Sequence, residues 1–366
     1  MKKGQGLLLS AVFCLALLAG GLGLLLLPKQ TISEAERRPL AEPPTLSVPA
    51  VLDGSFFRRS EAWVTDHFPA REVFRGLKAF WQLRVMGEPE NNGLTMVEGS
   101  VVKLEKQIND ASLAYAGERL QAALAAIPGP GECRLYYALI PDKSHYLQAQ
   151  GYPVLELEQM EKELGRALPG ASPIPLAELL ELSDYYDTDP HWRQERLLPA
   201  AARLLEALGR GEALSGGEFR RRSCGSFRGA YAGQWALPLP EEEILCLEGG
   251  PIADCYAVDL ETGQRIPLYD PEGCDPRDRY ALFLGGSRGL LRLENPAVTE
   301  PGELIVFRDS FGSSIAPLLC GAYRRVTLID LRYVSPAVLR RYLRLEGQDI
   351  LFLFSVTLLN QSQGLR

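Results

Sequence analysis

The pattern of hydrophobic and polar positions changes several times along the chain. Residues 7–27 form an apolar segment of 21 positions without a charge, in which only Ser10 and Cys14 carry a polar or sulfur side chain. A helix of this length rises about 1.5 Å per residue and can cross the ~30 Å hydrocarbon core of a bilayer. The pattern predicts a transmembrane helix within residues 1–27.

Two processing outcomes fit this N-terminal segment. Lys2 and Lys3 precede it, which predicts a cytoplasmic N-terminus and an exported main domain. A signal peptide cleaved at Ala19-Gly20-Gly21 is the alternative. Because cleavage there would leave the apolar residues 22–27 exposed at the new N-terminus, we favour an uncleaved signal anchor that holds the protein in the cell membrane.

The rest of the chain has the pattern of an α/β protein. Residues 28–50 are rich in Pro, Glu and Ala, which is typical of a tether. Predicted helices cover residues 53–84, 155–168, 192–208, 313–323 and 335–345, and predicted strands cover residues 134–140, 304–307, 326–330 and 350–356. Residues 215–292 are Gly- and Arg-rich with short alternating runs, which predicts a β-rich insertion of antiparallel strands. We therefore expect one α/β domain in residues 51–366, a three-layer sandwich around a mostly parallel sheet.

Composition and charge narrow the function classes. The 366 residues carry a formal net charge of −7, and no long basic run is present, which argues against a nucleic-acid-binding protein. The sequence contains neither a P-loop nor a G-x-G-x-x-G motif. Three histidines leave few positions for a metal cluster. We predict no metal, no cofactor and no nucleic-acid partner.

Six of the seven cysteines lie outside the apolar segment. An even number in an oxidising compartment permits three disulfides, while buried free thiols are an equal alternative. Four of the six, Cys224, Cys246, Cys255 and Cys274, fall within residues 224–274. This clustering favours one local bridge in that region.

One candidate for chemistry follows the predicted strand at residues 304–307. Ser310 lies between this strand and the next predicted helix, where a hydroxyl projects at the sheet edge and helix-start N–H groups can bind an oxyanion. The alternative is that Asp309 or Ser310 only caps the helix, which is the more common use of these residue types at such a position.

A second candidate is the segment Tyr185-Tyr-Asp-Thr-Asp-Pro-His-Trp192. Asp189, two residues before His191, can accept its Nδ1–H and so leave Nε2 free to act as a base. The alternative is a surface turn in which Asp189 caps a helix. His67 and His145 are the other histidines, and both have the sequence surroundings of structural or surface residues.

Several phrases together resemble one family. Thr188-Asp-Pro-His-Trp192 and Arg308-Asp-Ser-Phe-Gly312 are similar to motifs of the DHHW family of exported bacterial proteins, which is related to the SGNH-hydrolase-like domains of the alginate O-acetylation proteins. Further similar stretches occur in the family's order over almost the whole chain after the anchor: Ala35-Glu-Arg-Arg-Pro-Leu40, Asp66-His-Phe-Pro-Ala-Arg71, Glu90-Asn-Asn-Gly93, Pro141-Asp-Lys143, Phe283-Leu-Gly-Gly286 and Leu328-Ile-Asp-Leu-Arg-Tyr333.

The resemblance implies an SGNH-like fold with a Ser-His-Asp site. Ser310 matches the nucleophile, His191 the base and Asp189 the orienting acid. It also points to Phe311, Gly286 and Ser287 as residues for the oxyanion or the substrate. Two departures matter: a proline replaces the first histidine of the Asp-His-His-Trp motif, and Ser287 stands where the family typically has Asn, which weakens the expected oxyanion hole.

The function implied is acyl transfer outside the cell. We expect a membrane-anchored, serine-dependent O-acyltransferase (most simply an acetyltransferase) or esterase that acts on a cell-surface polysaccharide. A polytopic membrane O-acyltransferase is the expected source of the acyl group. The alternative is a catalytically silent surface protein that uses the same fold to bind a glycan or such a partner.

Overall fold

The protein is described by a computed structural model over residues 3–129 and 132–366. Its helices, in chain order, are α1 (Lys3–Leu26), α2 (Val48–Leu52), α3 (Ser55–His67), α4 (Arg71–Phe80), α5 (Asp110–Ala126), α6 (Leu157–Ala167), α7 (Leu198–Ala207), α8 (Ala230–Trp235), α9 (Gly312–Cys320), α10 (Pro336–Leu339) and α11 (Val356–Asn360). Its strands are β1 (Ile32–Ser33), β2 (Arg38–Pro39), β3 (Glu90–Asn91), β4 (Leu94–Val97), β5 (Ser100–Lys103), β6 (Arg134–Ile140), β7 (Ser172–Pro173), β8 (Phe219–Phe227), β9 (Glu242–Gly249), β10 (Tyr256–Asp259), β11 (Arg265–Ile266), β12 (Leu290–Glu294), β13 (Glu303–Arg308), β14 (Arg325–Ile329) and β15 (Asp349–Ser355).

The chain divides into two compact units. One consists of residues 1–92 and 230–239, and the other of residues 93–229 and 240–366. The first unit contains α1, whose stretch Gln5–Leu26 is long and apolar enough to cross a membrane. By length and composition alone, such a helix near an N-terminus fits either a single-pass anchor or a signal sequence.

The second unit is built on one eight-stranded sheet. Its strand order is β11-β10-β12-β14-β13-β15-β6-β7, parallel from β14 to β7 and antiparallel from β14 to β11. The central strands are near-continuous apolar runs, and every residue of β15 is buried, as expected for parallel strands that are covered on both faces. The prediction of a mixed α/β fold with a large, mostly parallel sheet is confirmed.

Alternate residues of the central strands face two different cores. On β13, Leu304 and Val306 pack with side chains of α7 and α9, whereas Ile305 and Phe307 pack with side chains of α5 and α6. This alternation follows from the two-residue period of a strand. Helices therefore cover the sheet on both faces, and polar groups reach it at the strand ends.

Residues 215–292 consist mainly of antiparallel strands and loops. Strands β8 and β9 form a bulged antiparallel pair that carries the disulfide Cys224–Cys246. The local bridge that the clustering of cysteines favoured is therefore present in this region. The remaining cysteines of the described residues are unbonded. Strands β10 and β11, with β12 at the end of the region, extend the main sheet in the antiparallel sense.

Several predicted helices have different limits in the structure. The single helix expected over residues 53–84 is interrupted between α3 and α4, because Pro69 disfavours helical backbone at Phe68, which is extended. The helix expected from residue 192 begins only at Leu198, with Pro199 in its first turn. The helix expected over residues 335–345 is limited to α10, and α5 was not predicted.

Candidate active site

Ser310 lies in the short turn that joins the central strand β13 to α9. The carboxylate of the preceding Asp309 holds this turn to the end of β15: its Oδ2 accepts hydrogen bonds from the backbone N–H of Ser355 at 2.8 Å and from its hydroxyl at 2.6 Å. Its Oδ1 accepts the N–H of Phe311 at 3.0 Å. Asp309 thus stabilises the turn, and the Ser310 hydroxyl contributes no side-chain cap to α9.

The Ser310 hydroxyl instead contacts His191. The distance from Ser310 Oγ to His191 Nε2 is 2.8 Å, and the distance from His191 Nδ1 to Asp189 Oδ1 is 2.6 Å. Asp189 Oδ1 also accepts the backbone N–H of His191 at 3.1 Å, and only 1% of Asp189 is exposed. A proton on Nδ1, held by this carboxylate, leaves the Nε2 lone pair to accept the serine proton.

A buried carboxylate from β9 stabilises the loop that carries Asp189. Glu242 accepts the backbone N–H groups of Asp187 and Thr188, each at 2.6 Å, and the Thr188 hydroxyl at 2.5 Å. It also forms an ion pair with Arg193 at 2.7 Å. One side chain therefore stabilises the segments before and after Asp189.

The second support of the loop is Lys143, a buried residue that follows β6. Its ammonium group donates to the carbonyl oxygens of Val101 at 2.5 Å and Tyr186 at 2.7 Å, with longer contacts to those of Asp187 and Asp189. Burial lowers the pKa of Lys143 to about 7, and the nearby carboxylate of Asp189 opposes this shift. The family resemblance matched Lys143 but assigned it no role, and the structure places it under the Asp189 loop.

An aromatic ring determines the plane of the imidazole. Tyr280 stacks on His191 with ring centroids 3.9 Å apart and an interplanar angle of 11°. Its hydroxyl donates to Ser314 Oγ at 2.8 Å, and Trp192 Nε1 donates to the same oxygen at 2.8 Å. These contacts link the histidine loop to the first turn of α9. Sequence reasoning missed Tyr280, since nothing in its local pattern distinguishes it from a core aromatic residue.

The three predicted oxyanion or substrate residues differ in their surroundings. Gly286 and Ser287 line the same small cavity as Ser310 and His191. The Gly286 N–H already donates to the Phe283 carbonyl at 3.2 Å, and the Phe311 N–H donates to Asp309. The Ser287 hydroxyl accepts a hydrogen bond from Tyr333 at 3.0 Å. Their role in catalysis stays a prediction.

The cavity beside Ser310 has a volume of about 50 Å³. This is room for a few water molecules, each of which needs ~10–15 Å³ by the same measure, or for a short acyl group. Its walls also include two arginines, Arg308 and Arg332. Within the described residues, no group of three or more His, Cys, Asp or Glu side chains could hold a metal ion.

The other two histidines lie elsewhere. The ring nitrogens of His67 contact the carbonyl oxygens of Trp63 and Gln30. His145 packs edge-on against Tyr146, and burial lowers its pKa. His191 is therefore the histidine that the structure brings to Ser310.

Comparison with known proteins identified similar structures but no similar sequences. No protein-family model matches the chain, and no curated protein matches it. A DHHW family protein from Eubacterium siraeum has a TM-score of 0.57 and 16% identity, over 75% of this chain and 95% of that one. Bacillus cereus PatB1 has a TM-score of 0.53 and 16% identity, over 74% of this chain and 97% of that one.

The chain has the fold of a DHHW family protein. The resemblance indicated by the sequence motifs is thus confirmed at the level of the fold. The O-acetyltransferase domain of Pseudomonas putida AlgJ is a more distant match, with a TM-score of 0.42 and 13% identity over 73% of this chain and 92% of that one. At such low sequence identity the similarity concerns the fold alone, and the reaction has to be argued from the geometry of the site.

The carboxylate of Asp189 provides a test of the site. An asparagine in its place can present its amide N–H₂ to Nδ1 and so favour the tautomer in which Nε2 carries the proton. We expect Asp189→Asn to lower kcat/KM for hydrolysis of an aryl acetate by ~10²–10⁴-fold, with little change in melting temperature. Asp187→Asn, the same substitution two residues earlier in the loop, is the matched control and should stay near the wild-type rate.

Proposed function

We propose that this protein is a membrane-anchored, extracytoplasmic, SGNH-hydrolase-like O-acyltransferase or esterase with a Ser310-His191-Asp189 triad. The observation that carries the proposal is the chain of two short contacts, 2.8 Å from Ser310 Oγ to His191 Nε2 and 2.6 Å from His191 Nδ1 to the buried Asp189. Nucleophile, base and orienting group then occur in the required order. Helices on both faces of the sheet support the three-layer architecture that this fold implies.

In this mechanism His191 accepts a proton and then donates it in each half-reaction. Nε2 takes the proton of Ser310 as Oγ bonds to the ester carbonyl carbon, and the carbonyl electron pair moves onto oxygen. When the tetrahedral intermediate collapses, imidazolium gives the proton to the departing alcohol and leaves an acyl-serine. In the second half-reaction an acceptor hydroxyl, or water in an esterase, loses its proton to Nε2 as its oxygen bonds to the acyl carbon. When this second tetrahedral intermediate collapses, the acyl–Oγ bond breaks and imidazolium returns the proton to Ser310.

Substrate and partner follow from the resemblance and from the small cavity. A volume of about 50 Å³ beside the nucleophile favours a short acyl group such as acetyl. We infer that the acceptor is a hydroxyl of a cell-surface polysaccharide. A membrane O-acyltransferase is the proposed donor, and α1 would keep the domain beside it.

Serine and histidine variants test this function. The full chain in detergent would be given an aryl acetate and an oligosaccharide acceptor, and free acetate and acetylated sugar would be measured. We expect Ser310→Ala and His191→Ala each to lower the total rate by at least ~10³-fold, because no other group can replace the nucleophile or the base. Ser223→Ala on β8 is the control and should act as wild type.

The alternative function is distinguished by the same assay. If wild type and both variants have equal background rates while the protein still binds the oligosaccharide, the protein is a catalytically silent binder. Acetate release without acetylated sugar would instead make it an esterase.

A further inference from the structure

Arg308, the last residue of β13, carries a buried charge next to Ser310. Only 1% of the residue is exposed. Its Nη1 donates to the Asp309 carbonyl at 3.2 Å and to the Ser313 hydroxyl at 3.0 Å, and it lies 3.5 Å from the Asp330 carboxylate. Its Nε and Nη2 have no hydrogen-bond partner among the described residues. A guanidinium stays protonated in proteins, so the N–H groups on two of its three nitrogens are buried without acceptors.

The surrounding carboxylates compensate the positive charge of the Arg308 guanidinium only in part. Asp330 is shared with Arg332, whose Nε and Nη2 bind it at 2.9 and 2.6 Å. Asp309 faces Ser355 and Phe311, and Asp278 is an exposed residue of the cavity wall. A buried donor without an acceptor is costly, and a charged one more so, which is reason to look for an acceptor that a ligand brings.

The turn is shaped to admit the arginine side chain. A Cβ at position 312 would lie 2.7 Å from Arg308 Cβ, 3.0 Å from its Cγ and 3.1 Å from its Cδ. Only glycine lets the aliphatic part of Arg308 pass under the first turn of α9. Arg308 lines the same cavity as Ser310.

Two of the predicted oxyanion donors are already engaged. The Phe311 N–H is donated to Asp309 and the Gly286 N–H to the Phe283 carbonyl. Negative charge that develops on an ester oxygen at Ser310 needs donors in place before the reaction. Arg308 lines the same cavity, and the N–H groups of its Nε and Nη2 have no acceptor among the described residues.

We propose that Arg308 is a further catalytic residue, whose guanidinium binds the carbonyl oxygen of the acyl group and stabilises the oxyanion formed when Ser310 attacks. This inference rests on the proposed function. The Oγ–C bond forms as the carbonyl π electrons move onto oxygen, the proton goes to His191, and the oxyanion accepts hydrogen bonds from Nε and Nη2 of Arg308. Reformation of the carbonyl releases the alcohol.

A covalent adduct on the wild-type protein tests the proposal without a substitution. Methanesulfonyl fluoride would convert Ser310 into a sulfonate ester with loss of fluoride. The sulfur of this ester is tetrahedral, and its two sulfonyl oxygens mimic the position of the oxyanion. We expect a crystal structure of the labelled full chain to place one sulfonyl oxygen within about 3.2 Å of Nε or Nη2. An adduct with both oxygens farther than about 4 Å would overturn the role of Arg308 alone. Absence of labelling would overturn the proposed nucleophile and this inference with it.

Substitution at Arg308 adds a readout that a structural role would not affect. The ratio of kcat/KM for an aryl acetate and its thionoacetate reports hydrogen bonding to the carbonyl oxygen, because sulfur accepts weakly. We expect wild type to favour the oxygen ester by at least ~10-fold and Arg308→Met to lose most of that preference, with Arg308→Lys between them. Arg344→Met, at an exposed arginine, is the control. An unchanged ratio in folded Arg308→Met would contradict the proposal.

A different observation carries a second inference, on the unit that contains α1. Helix α4 and the π-helical segment Trp81–Val85 that follows it present an apolar stripe with helical spacing, and each of its residues is more than half exposed: Val73, Phe74, Leu77, Phe80 and Trp81. Basic residues occupy other positions of the same helix: Lys78 is exposed, whereas Arg71 and Arg75 are mostly buried in ion pairs with carboxylates of the same unit. Such a division of apolar and basic positions is typical of helices that lie in a membrane interface.

Contacts with α1 indicate what covers this stripe. A Cβ at Gly20 would lie 2.9 Å from the Phe68 ring, and one at Gly23 would lie 2.6 Å from Pro69 Cγ. Gly20 precedes the end of α1 by six residues, or about 9 Å along the helix. If α1 spans the bilayer, the residues just before α4 lie at the depth where interfacial helices bury their apolar side.

We propose that α4 lies in the plane of the bilayer interface, with the stripe from Val73 to Trp81 among the acyl chains and the exposed Lys78 at the level of the headgroups. The test uses the full chain in vesicles of phosphatidylcholine that carry brominated acyl chains, which quench nearby tryptophans. Bromine should quench wild type, and Trp81→Phe should lose most of the quenched component. Trp235→Phe, at a buried tryptophan of the same unit, is the control. Failure of bromine at every acyl position to quench Trp81 would overturn the proposal, and is the result expected if a protein partner covers the stripe.

Discussion

The hydrogen bond between the buried Asp189 carboxylate and His191 Nδ1 is the interaction on which the candidate site depends. A carboxylate that is 1% exposed is stable in a folded protein only when its oxygens are hydrogen-bonded. Here the acceptor oxygen holds both the ring and the backbone N–H of His191. This bond and the stacking of Tyr280 together set the orientation of the ring, and the contact of Nε2 with Ser310 follows from that orientation.

Two rigid parts of the fold position the three residues of the candidate site: the turn that carries Ser310 and the loop that carries Asp189 and His191. Ser310 follows a central parallel strand, and Asp309 ties its turn to Ser355 at the end of β15. The histidine loop has no regular structure of its own, and two buried groups of opposite charge, Lys143 and Glu242, replace it by binding the loop backbone. Precise placement of a nucleophile and its base therefore comes from one sheet edge and one braced loop.

Much of this arrangement could be predicted from the sequence, for identifiable reasons. The apolar runs of β13 and β15 predicted buried parallel strands, and the spacing of Asp189 and His191 brought a carboxylate and an imidazole together within one turn. Lys143, Glu242 and Tyr280 could not be found this way, because each joins the site from a distant segment; Glu242 is 55 residues from Asp187. Helix α5 was missed because its Ala-rich sequence has a weak apolar stripe, and Pro69 divided one predicted helix into α3 and α4.

The most direct test of the account is whether Ser310 itself carries the acyl group during turnover. The full chain would be mixed with an aryl acetate, quenched in acid within the first turnover, digested and analysed by peptide mass spectrometry. If Ser310 is the nucleophile, the peptide that contains it carries one acetyl group, which is absent from Ser310→Ala and strongly reduced in His191→Ala. The opposite result would be acetate release by the wild-type protein with the acetyl group on another residue, or on no residue at any time. That result would show that Ser310 is not the nucleophile.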